Sequence, residues 1–164
     1  MKKIVVINGT GGCGKDTFVL FCSKYASVYN FSSIDKVKEV AKVIGWSGSK
    51  SEKDRKFLAD LKKLTTDYND MAFKSIIDAV NIFKNSKDEI MFIHIREPEE
   101  IKRVVDKFGA KSLLIKRAGQ ELIKSNASDA NVENYDYDYI IENTTLEEYE
   151  NKAINFIKEL GNDK

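Results

Sequence analysis

Residues 9–17 read Gly9-Thr10-Gly11-Gly12-Cys13-Gly14-Lys15-Asp16-Thr17 and directly follow the apolar run Ile4-Val5-Val6-Ile7. This stretch predicts a glycine-rich turn between a buried strand and a helix. In such a turn successive backbone N–H groups can point inward at a polyphosphate, and the N-terminus of the following helix adds the positive end of its dipole. The lysine would supply a full positive charge for the β- and γ-phosphates.

The glycines fit two phosphate-binding patterns, and Lys15 distinguishes between them. Gly9, Gly11 and Gly14 match the dinucleotide fingerprint G-x-G-x-x-G, and Asp35 lies about twenty positions further on, where that pattern places a ribose ligand. The same stretch matches most of the P-loop pattern G-x-x-x-x-G-K-[ST]. A dinucleotide site needs no charge after the last glycine, whereas a triphosphate needs a cation there. The sequence therefore favours a P-loop.

The loop departs from the strict P-loop pattern at one position. Asp16 stands where Ser or Thr is usual, and Thr17 follows it. A hydroxyl at the usual position would ligate Mg²⁺ directly. We expect Asp16 to hold Mg²⁺, directly or through water, and Thr17 to bind an α- or β-phosphate oxygen.

Length and composition indicate a single domain, spanning residues 1–164, with a substantial core. Lys and Arg total 27 against 26 for Asp and Glu, so the net charge of +1 predicts neither a nucleic-acid-binding nor a membrane-binding surface. The two cysteines, Cys13 and Cys22, are too few for a disulfide framework and are typical of the reducing cytoplasm. The first apolar run stops at Asn8, too early for a signal peptide. The sequence leaves open whether the chain forms a homodimer.

Short apolar runs alternate with helical patterns along the chain. Continuous apolar runs at 4–7, 90–95, 113–115 and 139–141, with a weaker one at 29–33, predict strands that are buried on both faces. Helical patterns cover about 17–26, 34–44, 57–64, 71–83 and 98–108, and a last helix begins at the capping box of residues 145–148 and ends before Gly161. The alternation predicts a three-layer α/β/α fold with a parallel, roughly five-stranded sheet.

Polar residues follow each predicted strand, where ligands bind in sheets of this kind. They are Asp35 after the second strand, Arg96 and Glu97 after the third, Lys116 and Arg117 after the fourth, and Glu142 and Asn143 after the fifth. Each could instead be a solvated loop residue, but the position of Arg96 between an apolar strand and Pro98 favours a functional role. His94 lies inside a strand, which favours a hydrogen-bonded core histidine over a catalytic one. Trp46 and Tyr68 could stack on a base or pack in a core or groove.

The stretch from about 117 to 137 has little apolar pattern, which is typical of a lid over a reacting nucleotide. A lid would exclude water, so that the phosphoryl group is not lost to hydrolysis. The alternative is a surface loop with a short helix at about 120–124. A nucleoside monophosphate acceptor needs no general base, because its phosphate oxygen is already ionised. Asp35 could serve as the base for a hydroxyl acceptor.

The motif Gly14-Lys15-Asp16-Thr17 resembles the phosphate loop of phage and bacterial deoxynucleotide monophosphate kinases. Residues 94–101, His94-Ile95-Arg96-Glu97-Pro98-Glu99-Glu100-Ile101, and the stretches 125–129 and 134–148 are also similar to that group. The resemblance covers both ends and the middle of the chain. It implies the nucleoside monophosphate kinase fold and the reaction ATP + dNMP → ADP + dNDP, with Mg²⁺.

The resemblance also assigns roles to individual residues. The phosphates of ATP would be bound by Gly11, Gly12, Cys13, Gly14, Lys15, Asp16 and Thr17, and we add Asn143 to this set. The acceptor would be bound by Asp35, Lys36, Tyr68, Arg96 and Glu97, most of them on a helical arm at about 34–85. Lys15 would follow the transferred group, Arg96 would hold the acceptor phosphate, and Arg117 would act from the lid. Lys116 or Lys124 could assist, because Arg117 is the only arginine after residue 104.

Two other functions stay open at this point. One is another small P-loop kinase, acting on dephospho-coenzyme A, a metabolite phosphate or a sugar. The other is a nucleotide-binding regulatory module without turnover, although the chain lacks an obvious N-K-x-D motif for base recognition.

Overall fold

A computed structural model describes residues 2–119 and 131–163. The strands are β1 Lys3–Asn8, β2 Val28–Ser32, β3 Ile90–His94, β4 Lys111–Arg117 and β5 Tyr139–Asn143. The helices are α1 Lys15–Ser23, α2 Asp35–Ile44, α3 Glu52–Asn69, α4 Met71–Asn85, α5 Pro98–Phe108 and α6 Leu146–Asn162. None of the helices in the described part of the chain is both long and apolar enough to cross a membrane.

The strands form one five-stranded sheet in the order β2-β3-β1-β4-β5, and the β1–β3, β1–β4 and β4–β5 pairs are parallel. The predicted parallel α/β fold is therefore confirmed. The chain leaves β1 towards one edge of the sheet and later crosses to the other edge, so the carboxyl end of β1 lies at the point where the strand order reverses. Ligand crevices in open α/β sheets form at this point.

Both faces of the central strands are covered, which explains their continuous apolar sequences. Val5 and Ile7 of β1 lie in a core with Phe18 of α1 and Phe156 of α6. Helix α5 contacts β1 and β4. Because side chains alternate along a strand, α5 covers the opposite face, towards which the fully buried Val6 points.

The chain divides into two compact units. The first comprises Met1–Asn30 and Ser86–Lys164, and the second comprises Phe31–Asn85. The second unit has its own core of Val37, Ala41 and Leu61, against which Trp46 and Phe57 pack. The acceptor arm predicted at about 34–85 lies in this unit, and its role stays a prediction.

The helix boundaries differ from the sequence predictions where tertiary contacts act. α1 spans Lys15–Ser23, whereas the sequence pattern predicted a helix at about 17–26. The prediction that the last helix ends before Gly161 is wrong, because α6 continues to Asn162. Asp163, directly after it, accepts a hydrogen bond from the Tyr139 hydroxyl at 2.9 Å and pairs with Lys111 at 3.3 Å. These contacts offset the cost of about 1 kcal/mol for glycine in a helix.

Candidate functional site

The glycine-rich turn leads from the carboxyl end of β1 into the N-terminus of α1. Gly14 is the N-cap of α1 with φ 101°, and no side chain caps the helix. A Cβ atom at this position would lie 2.4 Å from Asn143 Nδ2, so the backbone approach requires glycine. The first N–H groups of a helix have no intrahelical acceptor, and phosphate oxygens satisfy such groups. Phosphate binding by this turn stays a prediction.

The side chain of Lys15 folds back onto the glycine-rich turn. Its Nζ donates hydrogen bonds to the carbonyl oxygens of Gly9 at 2.6 Å and Thr10 at 3.3 Å, and it lies 4.0 Å from Cys13 Sγ. These contacts place a cation at the concave side of the turn. An incoming phosphate would compete with neutral carbonyls for this ammonium group.

Two side chains from the last third of the chain hold the turn in shape. Asn143 Nδ2 donates to the carbonyl of Cys13 at 3.0 Å, and the Tyr149 hydroxyl donates to the carbonyl of Gly14 at 2.8 Å. Asn143 was predicted to bind ATP; its observed amide contact is with the loop backbone, and its contact with ATP stays a prediction. Tyr149 was missed, because a tyrosine on the apolar face of a helix looks like a core residue. Burial raises its pKa.

Asn8 is a second residue that the sequence analysis missed. Its side chain is fully buried. Its Oδ1 accepts from Gly9 N at 2.8 Å, and its Nδ2 donates to the Arg96 carbonyl at 3.1 Å and to the Tyr137 hydroxyl at 2.9 Å. The available signal was a polar residue at the carboxyl end of a central apolar strand.

Arg96 and Arg117 both bring positive charge to the turn. Arg117 is the last residue of β4, and its guanidinium donates to the Gly12 carbonyl at 3.3 Å. Burial raises the pKa of the Cys13 thiol, and the charges of Lys15 and Arg96 act in the opposite direction. The structure thus places Lys15 and Arg117 in hydrogen-bond contact with the turn, whereas Arg96 is held beside it through its backbone carbonyl, which accepts from Asn8 Nδ2 at 3.1 Å.

Asp16, the residue predicted to bind Mg²⁺, and Thr17, predicted to bind a phosphate oxygen, both lie in the first turn of α1. Asp16 is exposed and Thr17 is half-buried. In residues 2–119 and 131–163 no group of three or more His, Cys, Asp and Glu side chains could hold a metal ion. Mg²⁺ commonly binds through one or two carboxylates together with phosphate oxygens and water, and the lone Asp16 carboxylate fits that arrangement.

The residues directly after Arg96 in the sequence line a cleft in the first unit. Glu97 is the N-cap of α5, and no side chain caps this helix. The cleft is lined by Glu97, Pro98, Glu99, Asn131 and Asn134. Carboxylates and amides of this kind hydrogen-bond to polar ligand groups. Glu97 lines this cleft, and its role as an acceptor ligand stays a prediction.

The other predicted acceptor residues lie in the second unit. Asp35 is the first residue of α2, and its carboxylate accepts from Ser32 N at 3.0 Å. Lys36 pairs with Glu39 at 3.0 Å, and Tyr68 is 84% exposed. These contacts explain how α2 begins, and they leave acceptor binding by these residues as a prediction.

The structure bears on the alternatives that the sequence left for Trp46, base stacking or packing, and for His94, a core or a catalytic role. Trp46 packs against the core of the second unit, and its indole N–H donates to the Ser49 carbonyl at 3.1 Å, which supports the packing alternative. His94 Nε2 lies 2.8 Å from Asn30 Oδ1, so the histidine is hydrogen-bonded as predicted, but it is half-buried and is not the core residue that was expected.

Only part of the predicted lid lies within the described residues. The short helix at about 120–124, including Lys124, falls outside them. The described end of the segment is attached to the first unit: Val132 is 1% and Tyr137 9% exposed, and Glu133 pairs with Lys116 at 3.1 Å. The spacing of Val132 and Tyr137 was too irregular to reveal this packing. The lid role of the whole segment stays a prediction.

The sheet order, the uncapped α1 and the lysine at its first position together define a P-loop fold. No family model matches the chain, and no curated protein matches it. Among solved structures, the chain is similar to the tunicamycin resistance protein of Deinococcus radiodurans, with 11% identity over 96% of each chain and a TM-score of 0.59. This likeness is one of fold.

Two further solved structures are less similar. Shikimate kinase from Bacteroides thetaiotaomicron has 10% identity over 95% of this chain and 98% of that one, with a TM-score of 0.49. TT1252 from Thermus thermophilus has 15% identity over 95% and 96%, with a TM-score of 0.48.

Proposed function

We propose that the protein is an ATP-dependent kinase that phosphorylates a deoxynucleoside 5′-monophosphate, ATP + dNMP → ADP + dNDP. The observation that carries this proposal is a glycine-rich helix terminus that Lys15 and Arg117 contact with hydrogen bonds, with Arg96 following the neighbouring strand β3. Phosphoryl transfer spreads negative charge over the transferred group, and catalysis consists mainly of alignment and charge neutralisation.

Each part of the site would have a separate task in this reaction. The N–H groups of the turn would bind the phosphates of ATP, and Lys15 would exchange the carbonyls of Gly9 and Thr10 for a γ-phosphate oxygen. Arg117 would neutralise charge beside Gly12. Mg²⁺, when bound through Asp16, would neutralise further phosphate charge and orient the phosphates.

Arg96 would hold the phosphate of the acceptor. It follows β3, so its charge acts from the strand next to β1, whereas Arg117 acts from β4 on the other side. This arrangement suits two phosphorylated substrates that meet above the end of β1. A monophosphate acceptor already carries an ionised oxygen, so the reaction needs no general base. The choice of a deoxynucleotide rests on the sequence resemblance at 94–101 and 134–148.

The proposal is tested by measuring ADP formation from ATP and Mg²⁺ with a panel of acceptors. The panel contains the dNMPs, the NMPs, dephospho-coenzyme A, shikimate and tunicamycin; the last is included because the similar Deinococcus protein is named for resistance to it. Turnover with a dNMP supports the proposal. Turnover only with another acceptor, or ATP binding without turnover, refutes it in favour of a different kinase or a binding module.

A pair of lysine variants links the activity to this site. Lys15→Ala removes the charge next to the transferred group and should lower kcat by about 10²-fold or more. Lys24→Ala is the matched control, because Lys24 lies just beyond α1 and pairs with Glu150 at 2.9 Å. Equal activity of the two variants would show that the measured kinase reaction does not use the predicted loop.

A further inference from the structure

We propose, on the basis of the proposed kinase function, that Asn8 and Tyr137 are positioning residues that hold Arg96 in register with the phosphate loop. The Asn8 amide touches three separate segments: the loop at Gly9, the strand end at Arg96, and the 131–137 segment at Tyr137. The side chain is fully buried, so water does not replace these contacts.

The amide continues the pairing of β1 and β3 beyond the end of the backbone ladder. The last backbone bond between the two segments is Ile95 N to the Ile7 carbonyl at 3.3 Å. One residue further on, Asn8 Nδ2 donates to the Arg96 carbonyl at 3.1 Å and takes the place of the next backbone donor. The same amide accepts from Gly9 N, so one rigid group sets the distance between the loop and Arg96.

The Tyr137 hydroxyl fixes the orientation of this amide. It accepts from Asn8 Nδ2 at 2.9 Å and donates to the Val132 carbonyl at 2.6 Å. Since Val132 O can only accept, the hydroxyl must accept from Asn8, and this requires the NH₂ group to face Tyr137 and Arg96. Burial raises the pKa of Tyr137 to about 12, so the hydroxyl keeps its proton at neutral pH. A chain of hydrogen bonds thus runs from Val132 through Tyr137 and Asn8 and ends at Gly9 of the loop and at the carbonyl of Arg96.

The two residues should have different kinetic effects. Tyr137→Phe removes one partner of the amide but leaves the bond to Gly9 N, so the acceptor KM should rise by about threefold to tenfold while the ATP Kd stays within about twofold. Asn8→Ala removes all the contacts of the amide and should raise both values, by about tenfold. Because Tyr137 acts on the site through its bond to Asn8, the double variant should raise the acceptor KM no more than Asn8→Ala alone.

Tyr139→Phe is the matched control. Like that of Tyr137, its hydroxyl donates one hydrogen bond, here to Asp163 at 2.9 Å, but Tyr139 begins β5 and lies at the opposite end of the sheet. The experiment measures the acceptor KM by ADP formation and the ATP Kd by titration calorimetry, with the Tm of each variant as a measure of folding. We expect Tyr137→Phe and Tyr139→Phe to lower the Tm alike and only Tyr137→Phe to raise the acceptor KM.

An unchanged acceptor KM in Tyr137→Phe, or an equal rise in Tyr139→Phe, would overturn the proposal. If Asn8→Ala does not fold, the comparison of the two tyrosine variants decides. If the wild-type protein binds ATP but turns over no acceptor, the kinase function fails separately. The ATP Kd then tests the loop half of the inference: a weaker Kd in Asn8→Ala supports it, and an unchanged Kd refutes it.

Discussion

Removing the Tyr149 hydroxyl tests whether α6 shapes the phosphate loop. Tyr149 is fully buried, and its hydroxyl donates to the Gly14 carbonyl at 2.8 Å. Tyr149→Phe keeps the ring, whose centroid lies 5.5 Å from that of Phe18 and 5.9 Å from that of Phe21. The substitution therefore removes one hydrogen bond and little packing.

The size of the effect follows from the partners that remain. The Gly14 carbonyl still accepts from Phe18 N at 3.0 Å, so it is not left unpaired. We expect a loss of about 0.5–1.5 kcal/mol of unfolding free energy, and thus a Tm lower by about 1–6 °C for a chain of this size. If the same free energy is lost from ATP binding, the Kd rises about twofold to tenfold.

The assay combines thermal unfolding with calorimetric titration of ATP. Tyr25→Phe is the control, because that exposed hydroxyl contacts Glu150 at 3.2 Å, away from the loop, and both its Tm and its ATP Kd should stay near wild type. A lower Tm of Tyr149→Phe with an unchanged ATP Kd would refute the reasoning, since the hydroxyl would then stabilise the packing of α6 and not the loop.

Three further outcomes are expected. Arg96→Ala should raise the acceptor KM more than the ATP KM, measured by ADP formation against the exposed Arg103→Ala of α5; the reverse order would assign Arg96 to ATP. Thr145→Ala removes the N-cap bond from Glu148 N, at 3.3 Å, and should cost about 1 kcal/mol in chemical denaturation. The raised pKa of Tyr137, about 12, lies above its ordinary value near 10, so this contribution to stability is complete below about pH 10 and is lost as the pH rises towards 12. Tm measured from pH 9 to pH 11.5 should fall less steeply in Tyr137→Phe than in wild type, and equal slopes would contradict this assignment.

The features that could be predicted from sequence are those with local causes. α5 spans the predicted residues 98–108, because Pro98 starts the helix and Gly109, with φ 63°, ends it. The glycine-rich turn was identified for a similar reason, since glycines and a lysine of fixed spacing follow a buried strand. In both cases the residues that determine the structure lie next to it in the sequence.

The residues that were missed depend on distant partners. Tyr149 contacts Gly14 at a separation of 135 residues, and Asn8 contacts Tyr137 at a separation of 129. The neighbouring sequence does not distinguish Tyr149 from an ordinary core tyrosine, and although Asn8 ends an apolar strand, no local pattern reveals its partner Tyr137. The end of α6 was placed wrongly for the same reason, because Asp163 is held by Tyr139 and Lys111, which no local pattern reveals.

The support of the phosphate loop by Asn143 and Tyr149 also has a consequence for biosynthesis. Asn143 is made 130 residues after Cys13, whose carbonyl it binds. At a translation rate of roughly 5–20 residues per second, this delay is roughly 6–26 s. Throughout this interval the glycines of the nascent chain have neither the amide nor the hydroxyl that later hold them. The contacts that hold the loop in its folded shape are therefore completed only as the last strand and helix leave the ribosome.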